Sequence, residues 1–279
     1  LDTAGYIICN SLTIVDSTLG SSQAAFYCRG TPHHITIKNC IIRSNSAGYS
    51  VRNEGKVITD FVFDNNIFSG GNSAISLSFG GLGFYLCKNI TITRNLFQNK
   101  NATIISIARG ANVLIDRNTF NSNLYFNPSG VYAIQLSGGV TSKIDVTNNI
   151  IKLRNYNTGI IYSGNGQPYD KSLFANNMVS IIGPAAGTCY YFQNSNNVRV
   201  VYNSGLVDSC SIQNAVLNAP NLGGEVFNNS MYNSGSGSAV YFNNTACISD
   251  YNNFYTDSAP PVETFSADYS LSSWQLFSG

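Results

Sequence analysis

The sequence predicts an all-β fold, a solenoid of stacked β coils, and three observations predict it. A short strand-like segment interrupted by an asparagine recurs along the chain. A second strand-like segment follows at some distance in each repeat. No helix-type unit lies inside the repeat, and a period of this length in strand-type sequence belongs to a solenoid.

The interrupted segment is clearest at residues 90–101, ITITRNLFQNKN. There Ile90 and Ile92 alternate with threonines, Arg94-Asn95 interrupts, and Leu96-Phe97 resumes. Copies stand at YIICNSL (6–12), ITIKNCII (35–42), FVFDNNIF (61–68), VLIDRNTF (113–120) and IDVTNNII (144–151), with weaker ones onward to ISDYNNFY (248–255). The aligned positions are Asn10, Cys40, Asn66, Asn95, Asn118, Asn149, Asn177, Asn203, Asn229 and Asn252, spaced by 23 to 31 residues. A strand that wraps a narrow core must turn a corner, and asparagine tolerates the left-handed region better than other non-glycine residues. Its amide carries donors and an acceptor, so amides stacked at roughly 4.8 Å can bond in a ladder. The asparagines are therefore expected to be structural.

The second segment reads AAFYCRG (24–30), YSVRNEG (49–55), SAISLSFGG (73–81), TIISIARGA (103–111) and YAIQLSGG (132–139), with later copies to SAVYFNNT (238–245). Several end on glycine or asparagine, as a turn requires. Alternation places Phe26, Cys28, Val51, Ile75 and Leu77 inward. Tyr27, Arg29, Arg52 and Glu54 then face outward, followed by Ser76, Ser78 and Ser106. Gln135 and Ser137 continue the stripe, and Tyr191, Gln193 and Tyr241 end it. Tyrosine rings suit stacking on sugars, amides and hydroxyls suit reading their hydroxyl groups, and Arg29 and Arg52 could pair with a uronate carboxylate. The bland alternative is a solvated sheet face with one Arg–Glu pair, and a one-residue slip would invert the face.

Composition narrows the partners. Charged residues make up 10% of 279, with 15 Lys+Arg against 14 Asp+Glu. That balance argues against nucleic acid as a partner and against electrostatic membrane attachment. No stretch reaches the roughly 18 apolar residues of a membrane span, so no membrane insertion is expected. The opening LDTAGYIICN already lies close to a repeat copy, and the chain reads as part of a longer secreted polypeptide. Seven cysteines without CxxC spacing or a Cys/His cluster predict no metal site. They read as buried thiols, with one disulfide near the N-terminal end left open. His33-His34 read as a surface turn. Asp64 and Asp116 share one repeat position with Thr93 between them, which puts them two coils apart, as solvated surface charge. The sequons at Asn89, Asn101, Asn228 and Asn243 are expected by chance in an asparagine-rich chain.

The repeats FVFDNNIFSGGN, ITITRNLFQNKN and VLIDRNTFNSN resemble those of right-handed parallel β-helix proteins, the pectate-lyase-like superfamily, over about residues 5–255. The tail DYSLSSWQLFSG (268–279) resembles the closing segment of large secreted bacterial β-helix proteins. The resemblance implies a single-stranded right-handed parallel β-helix of about nine or ten coils over 1–255. Residues 256–279 would be a capping tail, in which Ser270 to Gln275 form a short helical turn with Leu271 and Trp274 covering the last coil. It also implies an extracellular or cell-surface location. Three functions share this fold. The leading expectation is a non-catalytic module binding polysaccharide or cell-surface glycan through Tyr27, Arg29, Arg52, Glu54, Gln135, Tyr191, Gln193 and Tyr241. The rival is a polysaccharide lyase or glycoside hydrolase, for which calcium is the one cofactor considered, and then only for a lyase. The third is a structural spacer.

Overall fold

A computed structural model describes residues 1, 5–16, 24–45, 48–54, 57–77, 87–123, 130–140, 143–165, 170–183, 187–208, 214–243, 247–257, 259–264 and 268–269. Each coil contributes one strand to each of three parallel ladders. Strands leading into the corner form sheet A, from Gly5–Asn10 and His33–Lys38 through Ile58–Asp64 to Cys247–Asp250. Strands leaving it form sheet B, a ten-stranded ladder from Thr13–Val15 to Asn253–Thr256. Sheet C runs from Ala24–Cys28 and Tyr49–Asn53 to Val262–Thr264. Pairing of Asn165 with Asn196 links sheets A and C into one 21-stranded network. The ten strands of sheet B agree with the nine or ten coils expected.

Alternation drives the fold. Ile90 and Ile92 are fully buried, and register stacks them on Phe61 and Phe63 of the coil before and on Val113 and Ile115 of the coil after. In sheet B, Phe68, Phe97 and Phe120 lie in register, with ring centroids 5.1 and 4.7 Å apart. Gly205 holds the same column further on, and a Cβ there would stand 2.7 Å from Met231 Sδ and 3.3 Å from Tyr190. The space goes to the buried Tyr190 ring, whose hydroxyl donates to Asn177 O and Ser204 O at 2.9 Å each.

The asparagine ladder is present. Asn95 Nδ2 donates to Phe63 O of the preceding coil (2.9 Å) and to Asn118 Oδ1 of the following one (3.0 Å). The Asn95 backbone N–H donates to that same oxygen at 2.9 Å. Equivalent bonds recur from Asn66 to Asn229. Each amide thus satisfies a corner backbone group that the sheets leave unpaired.

Two details differ from expectation. Asn10 is outside the ladder: Thr13 pairs with Ile41, which puts Leu12 opposite Cys40 and Asn10 opposite Lys38. Asn10 is exposed, and its Oδ1 accepts from Asn39 Nδ2 (2.8 Å) in a separate surface row. Nor do the ladder asparagines turn left-handed. That geometry belongs to the residue before each of them: Asn65, Arg94, Arg117, Asn148 and Tyr202 all have φ near 55°. The ladder residue is held by its buried amide, and the corner residue by its tolerance of positive φ.

Beyond residue 255 the stack carries on, with Val262–Thr264 pairing in parallel with Val240–Phe242 and an antiparallel strand Asp268–Tyr269 folding back on it. The expected helical turn at Ser270 to Gln275 and Cys210 lie outside the described residues. The six described cysteines are free thiols.

Lys100 is an unexpected core residue. Its side chain is fully buried, and Nζ donates to Ser50 Oγ (3.0 Å) and to Gly70 O, neither of which carries charge. Burial lowers its pKa to about 7 from the ordinary 10.5.

Two outcomes follow from these contacts. Asn118→Ala leaves Asn95 without its acceptor and Ile92 O without its donor, and should lower unfolding free energy by about 3 kcal/mol. Asn10→Ala, on the surface row, should change it by less than about 0.5 kcal/mol; denaturant midpoints measure both. Lys100 binds fewer protons folded than unfolded between about pH 7 and 10.5, so wild-type stability should rise with pH across that window. Lys100→Met should lack that part of the slope when unfolding midpoints are compared from pH 6 to 10.

Candidate functional site

The outward face of sheet C is assembled by register. Tyr27 pairs with Arg52 and Arg52 with Ser76. Ser76 pairs with Ser106, and Ser106 with Gln135. The column continues through Ile161, Tyr191 and Asn218 to Tyr241 and Glu263. Cys28, Val51, Ile75 and Leu77 are buried on the opposite side, so the expected facing holds; Phe26 is only partly covered. Gln193 is exposed one residue beyond buried Phe192, and its N–H donates to Tyr162 O. Ser78 lies outside the described residues.

The charged end of this face is internally occupied. Arg52 Nη2 lies 2.8 Å from Glu54 Oε1, and its guanidinium stands 5.0 Å from the Tyr49 ring centre. Arg29 stands 4.8 Å from the Tyr27 ring centre, and the Tyr27 hydroxyl donates to Glu54. Both cations therefore meet aromatic faces before any ligand, and a uronate would have to displace Glu54 to pair with Arg52.

Further along, the face is aromatic and amide in character. Burial, with the nearby Tyr132 hydroxyl, raises the pKa of Tyr191. Asn218 lies between Tyr191 and Tyr241, and its Oδ1 is enclosed with no hydrogen-bond partner among the described residues. Missing partners for enclosed polar atoms are uncommon. Nothing in the alternation pattern marks Asn218, because asparagine is everywhere in this sequence.

The aspartates behave differently from solvated charge. Register confirms the sequence Asp64, Thr93, Asp116, Thr147 on successive coils, so the two carboxylates are two coils apart. Asp64 accepts from Arg94 Nε (3.0 Å), Arg94 Nη2 (2.6 Å) and Thr93 Oγ1 (2.8 Å). The bonds from Arg94 lower its pKa most. Asp116 is buried rather than solvated. Burial alone would raise its pKa, but bonds from Asn148 and Thr147 and the Arg117 charge outweigh that and hold it low. These carboxylates staple coils together.

His33 and His34 open a sheet A strand rather than forming a turn before it. Their Nδ1 atoms are 2.9 Å apart, Tyr6 stacks on His34 at 4.5 Å, and His34 Nε2 is 3.5 Å from Asp60. Among the described residues no group of three or more His, Cys, Asp or Glu side chains is placed to hold a metal ion.

The model of the right-handed β-helix region matches residues 24–204, more than half of the chain. The chain belongs to the right-handed β-helix family. Comparison with curated proteins and with solved structures finds no match. Family membership gives the β-helix its hand and leaves its activity to be argued from the faces described above.

Asp116→Ala removes the acceptor of Thr147, Asn148 and Arg117, and should destabilise the β-helix by about 1–2 kcal/mol. The folded carboxyl has the lower pKa, so its contribution is present at neutral pH and lost as pH falls. The variant should accordingly show a shallower loss of stability on acidification.

Proposed function

We propose that the chain is a non-catalytic module of a secreted or cell-surface protein that binds polysaccharide along the outward face of sheet C. The observation that carries this reading is the run Tyr191–Asn218–Tyr241, which sets two phenol rings two coils apart on one outward column. Tyrosine offers a flat apolar face to a sugar ring with a hydroxyl at its edge. Amide side chains such as those of Gln135 and Gln193 offer donors and acceptors to sugar hydroxyls. Gln135, Ser106 and Gln193 extend the same polar surface toward Tyr27, Arg29, Arg52 and Glu54. The secreted location rests on the resemblance of the tail at 268–279.

The rival reading, a lyase or glycoside hydrolase of the pectate-lyase-like superfamily, has less support on this face. Hydrolysis of a glycosidic bond by paired carboxylates needs them within roughly 10 Å. The described carboxylates of the column are Glu54, beside its first coils, and Glu263, at its last strand. Each is therefore alone there among the described residues.

Affinity electrophoresis in gels containing acidic or neutral polysaccharides tests the proposal, with reducing-end release measured on the same panel. Retardation by at least one polysaccharide is expected, weakened several-fold in Tyr191→Ala and Tyr241→Ala, without release of reducing ends. Release would favour the enzyme. Absence of retardation from folded protein would favour the spacer.

A further inference from the structure

The last three coils of sheet B present a second surface on a different side of the solenoid. Their outward residues form a grid set by register. Ser204, Ser230 and Asn253 are partners on successive coils, as are Leu206, Tyr232 and Tyr255. Tyr202 and Tyr251 stand at the corner just before this sheet, with Asn228 between them. Asp208 and Asp257 close the far edge, where Ser234 Oγ donates to Asp208 (2.7 Å) and Tyr232 Oη to Asp257 (2.9 Å).

Three features of this grid call for a ligand. First, its rings are open to solvent: Tyr251 is 79% exposed, Tyr202 61% and Tyr255 58%. Second, Tyr202 and Tyr251 hold φ of 57° and 54°, at a corner where Asn39, Asn65, Asn148, Asn176 and Asn228 serve other coils. A bulky aromatic there is strained relative to asparagine, and strain of this kind gathers at functional positions. Neither hydroxyl has a hydrogen-bond partner among the described residues. Third, no lysine or arginine follows Arg199 anywhere in the sequence, and while Glu225 is paired with Lys171 and Arg199, the acids Asp208, Asp250, Asp257, Glu263 and Asp268 follow with no cation after them in the chain. This end of the molecule repels anions and offers carboxylate acceptors to hydroxyl donors.

We propose that this grid is a second carbohydrate-binding surface, distinct from sheet C, and that it takes a neutral oligosaccharide. Tyr202 and Tyr251 are two coils apart, roughly 10 Å along the axis, which matches the span of a disaccharide. Tyr255 lies on the strand Asn253–Thr256 that leaves the corner at Tyr251. Sugar rings stack on the tyrosines, while Ser204, Ser230 and Asn253 between them meet the hydroxyls. The acidic edge excludes uronates and sulfated sugars.

Isothermal titration with cellohexaose, xylohexaose and mannohexaose, and with an oligogalacturonate as the anionic control, tests this. At least one neutral hexasaccharide should bind and the oligogalacturonate should not bind at this surface. The decisive variants are Tyr202→Asn and Tyr251→Asn, which put the commonest corner residue in place of tyrosine. Together they should weaken neutral-sugar binding at least tenfold while the unfolding midpoint stays level or rises. Tyr191→Ala should leave that binding in place, which separates this surface from the sheet C reading. The proposal is overturned if none of the three neutral sugars binds, if binding survives both asparagine substitutions, if it vanishes with Tyr191→Ala alone, or if the substitutions lower the midpoint, which would make the tyrosines structural.

Discussion

The structure depends on a single row of buried amides. A parallel coil can add its strands to a neighbour only if the corner between sheets A and B repeats in register, and the corner leaves a backbone N–H that no strand can satisfy. The side-chain oxygen of the next asparagine accepts it, while the amide nitrogen reaches back to a carbonyl of the previous coil. Each ladder residue therefore bonds both its neighbours, and the energetic penalty for an unpaired buried amide enforces the register coil by coil. The phenylalanine stack of sheet B and the isoleucine columns of sheet A add burial on top of a register already imposed.

That register is also what makes surfaces out of scattered residues. Tyr191, Asn218 and Tyr241 are far apart in sequence, yet they share a column because three coils of different length close on the same ladder. The same holds for Tyr202, Asn228 and Tyr251 at the corner. Loops between strands absorb the differences in coil length, so insertions leave the columns intact. Charge is distributed unevenly along the axis. The arginines of sheet C lie at the N-terminal end against tyrosines and Glu54, while no cation follows Arg199, which pairs with Glu225.

Most of the fold was legible because its two signals, strand alternation and an asparagine that recurs at eight ladder positions from Asn66 to Asn252, are local and repeated. The misplacement of Asn10 shows the limit of that reading. YIICNSL offers an asparagine two residues from the true corner, and only the pairing of Thr13 with Ile41 reveals Leu12 in its place. The left-handed residue was hidden for a similar reason: pairs such as Asn65-Asn66 and Asn148-Asn149 do not say which member turns. Lys100 was illegible because a lysine in a turn reads as solvent-exposed, and its burial depends on Ser50 from fifty residues away. On sheet C the outward residues followed from alternation, whereas the bond from the Tyr27 hydroxyl to Glu54 required knowing which coils stack. In the sheet B grid Tyr232 and Tyr255 follow the alternation, but Tyr202 and Tyr251 sit at the corner before the sheet, where alternation carries no signal.

The central claim is that the ladder oxygen, rather than strand pairing, holds each corner amide. Amide hydrogen exchange at Asn118 in the wild type and in Asn149→Ala measures it most directly, since the Asn118 N–H donates to Asn149 Oδ1 at 3.0 Å. Protection at Asn118 should fall by orders of magnitude in the variant, while Ile92 and Ile115, held by their strands, exchange much as before. Unchanged protection at Asn118, in a variant that remains folded, would contradict the account.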